Sequence, residues 1–275
     1  MDQKRLVIIG SGNLAHALGS RWLFSPHVAN LSMLARSQRF MSQDWNGQLK
    51  SRVTFDASVL KQAQVVVLAV KPKDALAALG QVESYLADSA ILISVVAGVS
   101  IAKIRAVIPK AGIIRTMPNI CSEVGRSVTG YSSDGVSEED LSHAVTLLRE
   151  LGDIVQTPEA SLDPMTALFG SGPAYVLEFL TSIINSAVTL GLDADLSRQL
   201  ALRMVVGTSE LALTEKHHAL EDIQSRVVSP GGTTEAMLRV LHTQGWPQIM
   251  EAALQAAGNR ATELGREAAG GVPRR

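Results

Sequence analysis

The chain has 275 residues, enough for two domains with a well-buried core. It is 46% hydrophobic, 19% charged and 4% aromatic, with a formal net charge of −1; this balance, without a long basic run, argues against nucleic acid or an anionic membrane as the partner. The one cysteine, Cys121, excludes an intramolecular disulfide framework and fits a reducing compartment. The apolar run Leu6 to Ile9 is too short for a signal peptide or a spanning helix, and no other uninterrupted run approaches about 18 residues. The expected location is the cytoplasm.

Taken in chain order, Leu6 to Ile9 reads as a buried strand, followed by a glycine turn and a helical run from Leu14 to Phe24. Further strands are expected at Leu31–Leu34, Val65–Val70, Ala90–Val95 and Ala111–Arg115. Runs of continuous apolar character, separated by helical segments, predict a parallel sheet covered on both faces. Val128–Tyr131 and Asp153–Gln156 add edge strands around a helix from Glu138 to Leu151. Beyond about residue 160 only helices are expected: Pro173–Leu190 with Gly191 ending it, Leu196–Thr214, Glu235–Thr243 and Pro247–Leu264. The fold class is therefore α/β, a Rossmann-type mostly parallel sheet domain over residues 1–159, then an all-helical domain over 160–275. The first two long helices of the second domain are apolar on more than one face, which calls for a partner subunit.

Gly10-Ser11-Gly12-Asn13-Leu14-Ala15 follows the first strand and opens the first helix, giving the G-x-G-x-x-A form of a dinucleotide fingerprint. Gly10 permits the tight turn, Gly12 the close approach of a pyrophosphate, and Ala15 close helix–strand packing; the helix N-terminus offers N–H groups to phosphate. At the end of the second strand, where an acid usually marks NAD, stand Arg36 and Ser37, and no Asp or Glu occurs between Asp2 and Asp44. A base with a hydroxyl beside it suits a 2′-phosphate, so NADPH is favoured, with NADH as the alternative. Ala69-Val70-Lys71-Pro72 after the third strand and Val95 and Ala97 at the end of the fourth belong to the same crevice, and Asp56 is counted with the cofactor set.

Four segments, with their order and spacing, carry a resemblance: Ala69-Val70-Lys71-Pro72, Arg115-Thr116-Met117-Pro118-Asn119, Gly170-Ser171-Gly172-Pro173-Ala174-Tyr175 and Ser229-Pro230-Gly231-Gly232-Thr233-Thr234. Over about residues 5 to 265 the chain resembles pyrroline-5-carboxylate reductase, which makes proline by reducing a cyclic imine. The last segment is the most specific. Its residues alone predict a turn feeding a helix N-terminus, with Thr233 or Thr234 as cap and a nest of N–H groups suited to a carboxylate.

The resemblance implies that Gly232 and Thr233 offer N–H groups to the substrate carboxylate, and that Thr234 is the catalytic residue, hydrogen-bonding the ring nitrogen. It places Ser229, Gly231, Ser171, Gly172 and Glu159 at the substrate, and Met117 and Asn119 near the nicotinamide. It also implies a small imino-acid substrate, reduction of 1-pyrroline-5-carboxylate to L-proline, and a homodimer or larger ring of dimers. Two departures stand out: Ile120-Cys121 where the family continues with Thr-Pro, and Phe169 where it tends to have serine. Hydride comes from the nicotinamide and the imine nitrogen is partly protonated already, so no His or Lys motif is required. Cys121 reads as a packing residue. His217-His218, without a third ligand at metal spacing, reads as polar surface, and no metal is expected.

The competing readings are a reductase for another cyclic imine or a hydroxyacid on the same two-domain plan, or a catalytically weak nucleotide-binding regulator. A hydroxyacid enzyme needs a base on the first long helix of the second domain. The chain has no lysine, arginine or histidine from Pro173 to Leu196.

Overall fold

The computed structural model describes residues 3–36 and 47–269. Its elements in chain order are β1 (Lys4–Ile9), α1 (Asn13–Trp22), β2 (Val28–Leu34), α2 (Gly47–Lys50), β3 (Val53–Thr54), β4 (Val65–Leu68), α3 (Ala75–Val82), β5 (Ile91–Ser94), α4 (Ile101–Val107), β6 (Gly112–Thr116), β7 (Ser127–Asp134), α5 (Glu138–Arg149) and β8 (Gly152–Gln156). A helical series follows: α6 (Leu162–Met165), a π turn (Thr166–Gly170), α7 (Gly172–Thr189), α8 (Ala194–Thr214), α9 (Leu220–Ser225), α10 (Thr233–Thr243) and α11 (Trp246–Ala269).

The strands form one sheet in the order β3-β2-β1-β4-β5-β6-β7-β8. The chain builds outward from β1 to β3, then returns to the other side of β1, so the order reverses between β1 and β4. That switch point is where a doubly wound sheet opens a ligand crevice at its carboxyl ends. All pairings are parallel except β6 with β7, where Thr116 faces Tyr131. The expected edge strands are therefore real, but both run against the rest of the sheet, since β8 is parallel to β7.

Alternation along β1 divides the core. Leu6 and Ile8 pack with Leu18, Trp22, Leu147 and Leu148, whereas Val7 and Ile9 pack with Leu60, Leu79 and Ile104. Both faces of the strand are thus covered, which is why its sequence is continuously apolar. Trp22 is fully buried, and its indole N–H donates to the Leu147 carbonyl at 3.0 Å, tying α1 to α5. A buried indole without that acceptor carries a desolvation cost of about 1–3 kcal/mol.

By packing, the described residues fall into two compact units, one holding 3–36, 47–173 and 256–269, the other 174–255. Beyond β8 no strand occurs among the described residues. Helix α7 ends where expected, at Gly191, whose φ of +94° suits glycine after a helix. Only Leu180 of α7 is buried, while Val176, Leu177 and Phe179 are exposed, as are Leu196, Leu200 and Val206 of α8. The helical stretch Glu159–Thr189 is long and apolar enough by composition to cross a membrane, a length that the count of uninterrupted apolar residues does not reveal.

Candidate active site

The described residues assigned to the cofactor all follow the carboxyl ends of strands β1 to β6. Gly10, just after β1, has φ +132°, and a Cβ there would lie 2.3 Å from the Ala69 carbonyl oxygen that follows β4. Glycine is thus demanded by the close passage of the two loops at the switch point. Gly12 is the N-cap of α1 and has no side-chain cap. A Cβ built on Gly12 meets nothing within 4 Å, so the absent side chain opens space in front of the first-turn N–H groups. Helix α1 carries no acid in its first turn, Ala15 is fully buried against the core, and Ser11 is buried. Residues Asn13 and Leu14 begin the helix. An open, uncapped, acid-free N-terminus beside a glycine turn fits a dinucleotide pyrophosphate.

Arg36 stands exposed just beyond β2, and Ser37, like Arg39, lies outside the described residues. Asp56 follows β3 and caps the 3-10 turn Ala57–Gln62, accepting from the Ser58 N–H at 2.9 Å and the Ser58 hydroxyl at 2.6 Å. Those two bonds hold its carboxyl below the usual carboxylate range. Lys71 is the N-cap of the 3-10 turn Pro72–Asp74, with Ala69 and Val70 half-buried before it. Val95 is buried, and Ala97 precedes the left-handed Gly98.

After β6, Met117 and Asn119 are buried. Both polar atoms of the Asn119 side chain are engaged by the chain itself: Oδ1 accepts the Cys121 N–H at 2.9 Å, and Nδ2 donates to the Phe169 carbonyl at 2.9 Å. Cys121 is partly exposed and forms no disulfide. Glu159 also looks inward, its Oε1 accepting the Ile101 N–H at 2.7 Å and an Arg115 N–H at 3.3 Å. Arg115 pairs with Asp163 as well and is buried, with its Nε lacking a partner. The sequence places Glu159 at the substrate by resemblance but does not foretell its pairing with Arg115, nor the part of Asp163. The one signal of this ion group in the sequence is a lone arginine in an otherwise apolar strand.

The second unit holds the loop Ser229–Thr234. Gly231 has φ +71°, and its N–H donates to Glu235 Oε2 at 2.5 Å. The Gly232 N–H closes a turn on the Ser229 carbonyl at 2.9 Å. A Cβ on Gly232 would lie 2.4 Å from Ser229 Oγ and 3.0 Å from the Ser229 carbonyl oxygen. The cap differs from the expectation: Gly232 is the N-cap of α10, with no side-chain cap, and Thr233 and Thr234 are its first helical residues. Gly231, in the left-handed region, makes the turn, and the helix begins directly after Gly232, so both threonines fall inside it. First-turn N–H groups have no carbonyl a turn behind them, so those of Thr233 and Thr234 face outward as donors. Farther off, His218 lies 3.7 Å from Glu215, whose carboxyl is held below its usual range by hydrogen bonds from Arg226.

The fold and the first-unit site define a two-part oxidoreductase: a Rossmann-type dinucleotide domain followed by helices. Comparison with known proteins narrows the class. Residues 159–264 match the pyrroline-5-carboxylate reductase dimerisation domain, and residues 5–98 match the NADP oxidoreductase, coenzyme F420-dependent, domain. Pyrroline-5-carboxylate reductase of Synechocystis is 34% identical over 270 residues, covering 96% of this chain and 99% of that one. Among solved structures, Plasmodium falciparum pyrroline carboxylate reductase with NADP bound superposes with a TM-score of 0.88 at 27% identity, covering 96% and 99% of the two chains. The enzyme from Coxiella burnetii gives 0.80 at 28% identity, with the same coverage. The chain belongs to the pyrroline-5-carboxylate reductase family.

Proposed function

We propose that this protein reduces 1-pyrroline-5-carboxylate to L-proline with a nicotinamide cofactor, NADPH in preference to NADH. The observation that carries the reading is the joint presence of an open glycine N-cap at α1 and the Gly231-Gly232 nest at α10, in a chain aligned with reductases of this name along nearly its whole length.

Bound at Gly10–Ala15, with Ala69–Pro72, Val95 and Ala97 flanking it, the dinucleotide supplies the hydride. Arg36, with Ser37 beside it in sequence, recognises the 2′-phosphate of NADPH through charge-assisted hydrogen bonds. The N–H groups at the head of α10, with the Gly232 turn before them, receive the substrate carboxylate. Thr234 places its hydroxyl on the ring nitrogen, and the family resemblance assigns Ser229, Ser171 and Gly172 to the substrate as well. A protonated imine nitrogen donates to Thr234 Oγ, so the chain holds a proton in place rather than delivering one from a strong acid. The protein's contribution is orientation, and orientation alone is worth several powers of ten in rate.

Functionally we divide the chain at 159/160, into a cofactor domain and a substrate and dimerisation domain. It works as a homo-oligomer, a dimer or ring of dimers, in the cytoplasm. The exposed apolar faces of α7 and α8 lie within the matched dimerisation domain and are suited to a second copy of the chain rather than to lipid. A hydroxyacid substrate is disfavoured because α7 carries no lysine, arginine or histidine to act as base.

The test is NADPH oxidation coupled to proline formation by the purified protein, mole for mole. NADPH is expected to outperform NADH, and Arg36→Asp to reverse the preference. Turnover with neither cofactor refutes the reading.

A further inference from the structure

We propose that Asn119 is a positioning residue, not a cofactor ligand: its amide pins the chain at Phe169 and thereby sets where Ser171 and Gly172 stand against the end of β6. The inference rests on the functional reading above in one respect, that Ser171 and Gly172 line the imine site.

Every polar atom of Asn119 already has a partner within the first unit. Its N–H donates to Ser127 Oγ at 3.0 Å, and its carbonyl accepts the Ser122 hydroxyl at 2.7 Å. The side-chain orientation is unambiguous, because the Cys121 N–H requires an oxygen and the Phe169 carbonyl requires an N–H. That leaves the group rigid and turned into the protein.

The acceptor it finds is one that has no α-helical donor. Phe169 lies in the π turn Thr166–Gly170, where the Ser171 N–H reaches back five residues to the Thr166 carbonyl at 3.1 Å. Four residues after Phe169 stands Pro173, which has no N–H to return an α-helical bond. A carbonyl freed in this way needs a donor, and Asn119 Nδ2 provides it. The contact is to backbone, so it is indifferent to the phenylalanine side chain, which is 45% exposed.

Two neighbouring contacts make the same connection. Arg115, four residues before Asn119, pairs with Glu159 and Asp163 at the start of the helical series. Met117 Cε lies 3.9 Å from where a Cβ on Gly170 would stand. The segment Arg115–Asn119 therefore grips residues 159–170 by an ion group at one end and an amide at the other, with Met117 beside Gly170 between them. Beyond the last grip, a Cβ on Gly172 would meet nothing within 4 Å, so the held backbone faces open space. A π turn is a locally adjustable piece of helix, often found at functional sites. Here the amide removes that adjustability.

Asn119→Asp is the informative variant, because it keeps the acceptor for the Cys121 N–H and replaces the donor to Phe169 by a carboxylate oxygen that repels the carbonyl; Asn119→Ala removes both bonds and adds no charge. Three quantities are measured on the full chain: NADPH dissociation constant by fluorescence titration, kcat and KM for the imine, and hydrogen exchange across residues 166–172. Both variants are expected to bind NADPH within about twofold of wild type, lose roughly 10- to 100-fold in kcat/KM for the imine, and exchange faster across 166–172. NADPH binding weakened tenfold with kcat intact makes Asn119 a cofactor ligand and overturns the proposal. Faster exchange with unchanged kinetics reduces Asn119 to a structural role and overturns it too. A wild type that turns over no imine defeats the functional reading instead. Exchange then decides the pin by itself, and unchanged exchange in Asn119→Asp refutes it.

Discussion

Gly232→Ala separates the substrate loop from the rest of the enzyme. Gly232 has φ −81° and ψ 171°, extended backbone that alanine adopts without strain, so the effect of the added methyl is steric. At 2.4 Å from Ser229 Oγ and 3.0 Å from the Ser229 carbonyl oxygen, that methyl forces a change. Ser229 Oγ is free to rotate away, but the carbonyl is held by the turn bond from the Gly232 N–H. The backbone must therefore open by a few tenths of an ångström, at the point from which α10 aims its donors. Overpacking of this kind costs about 1–3 kcal/mol, and in an exposed loop the lower end applies, a loss of roughly 5- to 30-fold. The loss is expected in KM for the imine, with NADPH affinity unchanged because every described cofactor residue is in the other unit. Steady-state kinetics with each substrate varied in turn, beside an NADPH titration, measure it. Ser229→Ala removes the nearer clash, so the double variant is expected to lose less than the two single losses combined. Strict additivity, or a loss confined to NADPH binding, refutes this account of the loop.

Three further outcomes follow from the geometry. Gly10→Ala sets a Cβ 2.3 Å from the Ala69 carbonyl at φ +132°, and is expected to destabilise the fold by more than ~3 kcal/mol and weaken NADPH binding at least ~10-fold, read by denaturant unfolding and titration. Glu235→Ala frees the Gly231 N–H and is expected to raise KM for the imine a few-fold, with Glu235→Gln restoring it, because the amide oxygen still accepts. His143 is buried with Nε2 unpartnered, and burial, aided by the charges of Lys4 and His27, holds its pKa below the ordinary value of 6.5. The unfolded chain takes up that proton first, so the stability tied to neutral His143 is complete above pH 6.5 and declines as pH falls from there through the lower folded value. Unfolding midpoints from about pH 8 to about pH 5 are expected to fall less in His143→Leu than in wild type.

Much of the fold is legible in the sequence because its signals are local. Continuous apolar runs mark β1, β4 and β5, and the glycines at 10 and 12 mark the turn into α1. Strand direction is not local: nothing in Val128–Tyr131 says that β7 runs antiparallel to β6, since that depends on where the short 3-10 connection at Ile120–Val124 sends the chain. The four-residue α2 and six-residue α9 are too short to show a period. The site divides in the same way. Gly231 and Gly232 announce a nest by type and order. The inward roles of Asn119 and Glu159 stay hidden, because Phe169 lies 50 residues from Asn119, and Arg115 lies 44 residues from Glu159. An asparagine or glutamate in a motif reads as ligand-facing until its partners are known.

The central claim is that this chain aligns a cyclic imino acid for hydride transfer to its C=N carbon. Incubating the protein with 1-pyrroline-5-carboxylate and NADPH deuterated at the transferring nicotinamide carbon tests it most directly. Proline labelled by a single deuterium on the ring carbon that carried the double bond is the predicted product. Proline without that label, or cofactor consumed without proline, contradicts the account.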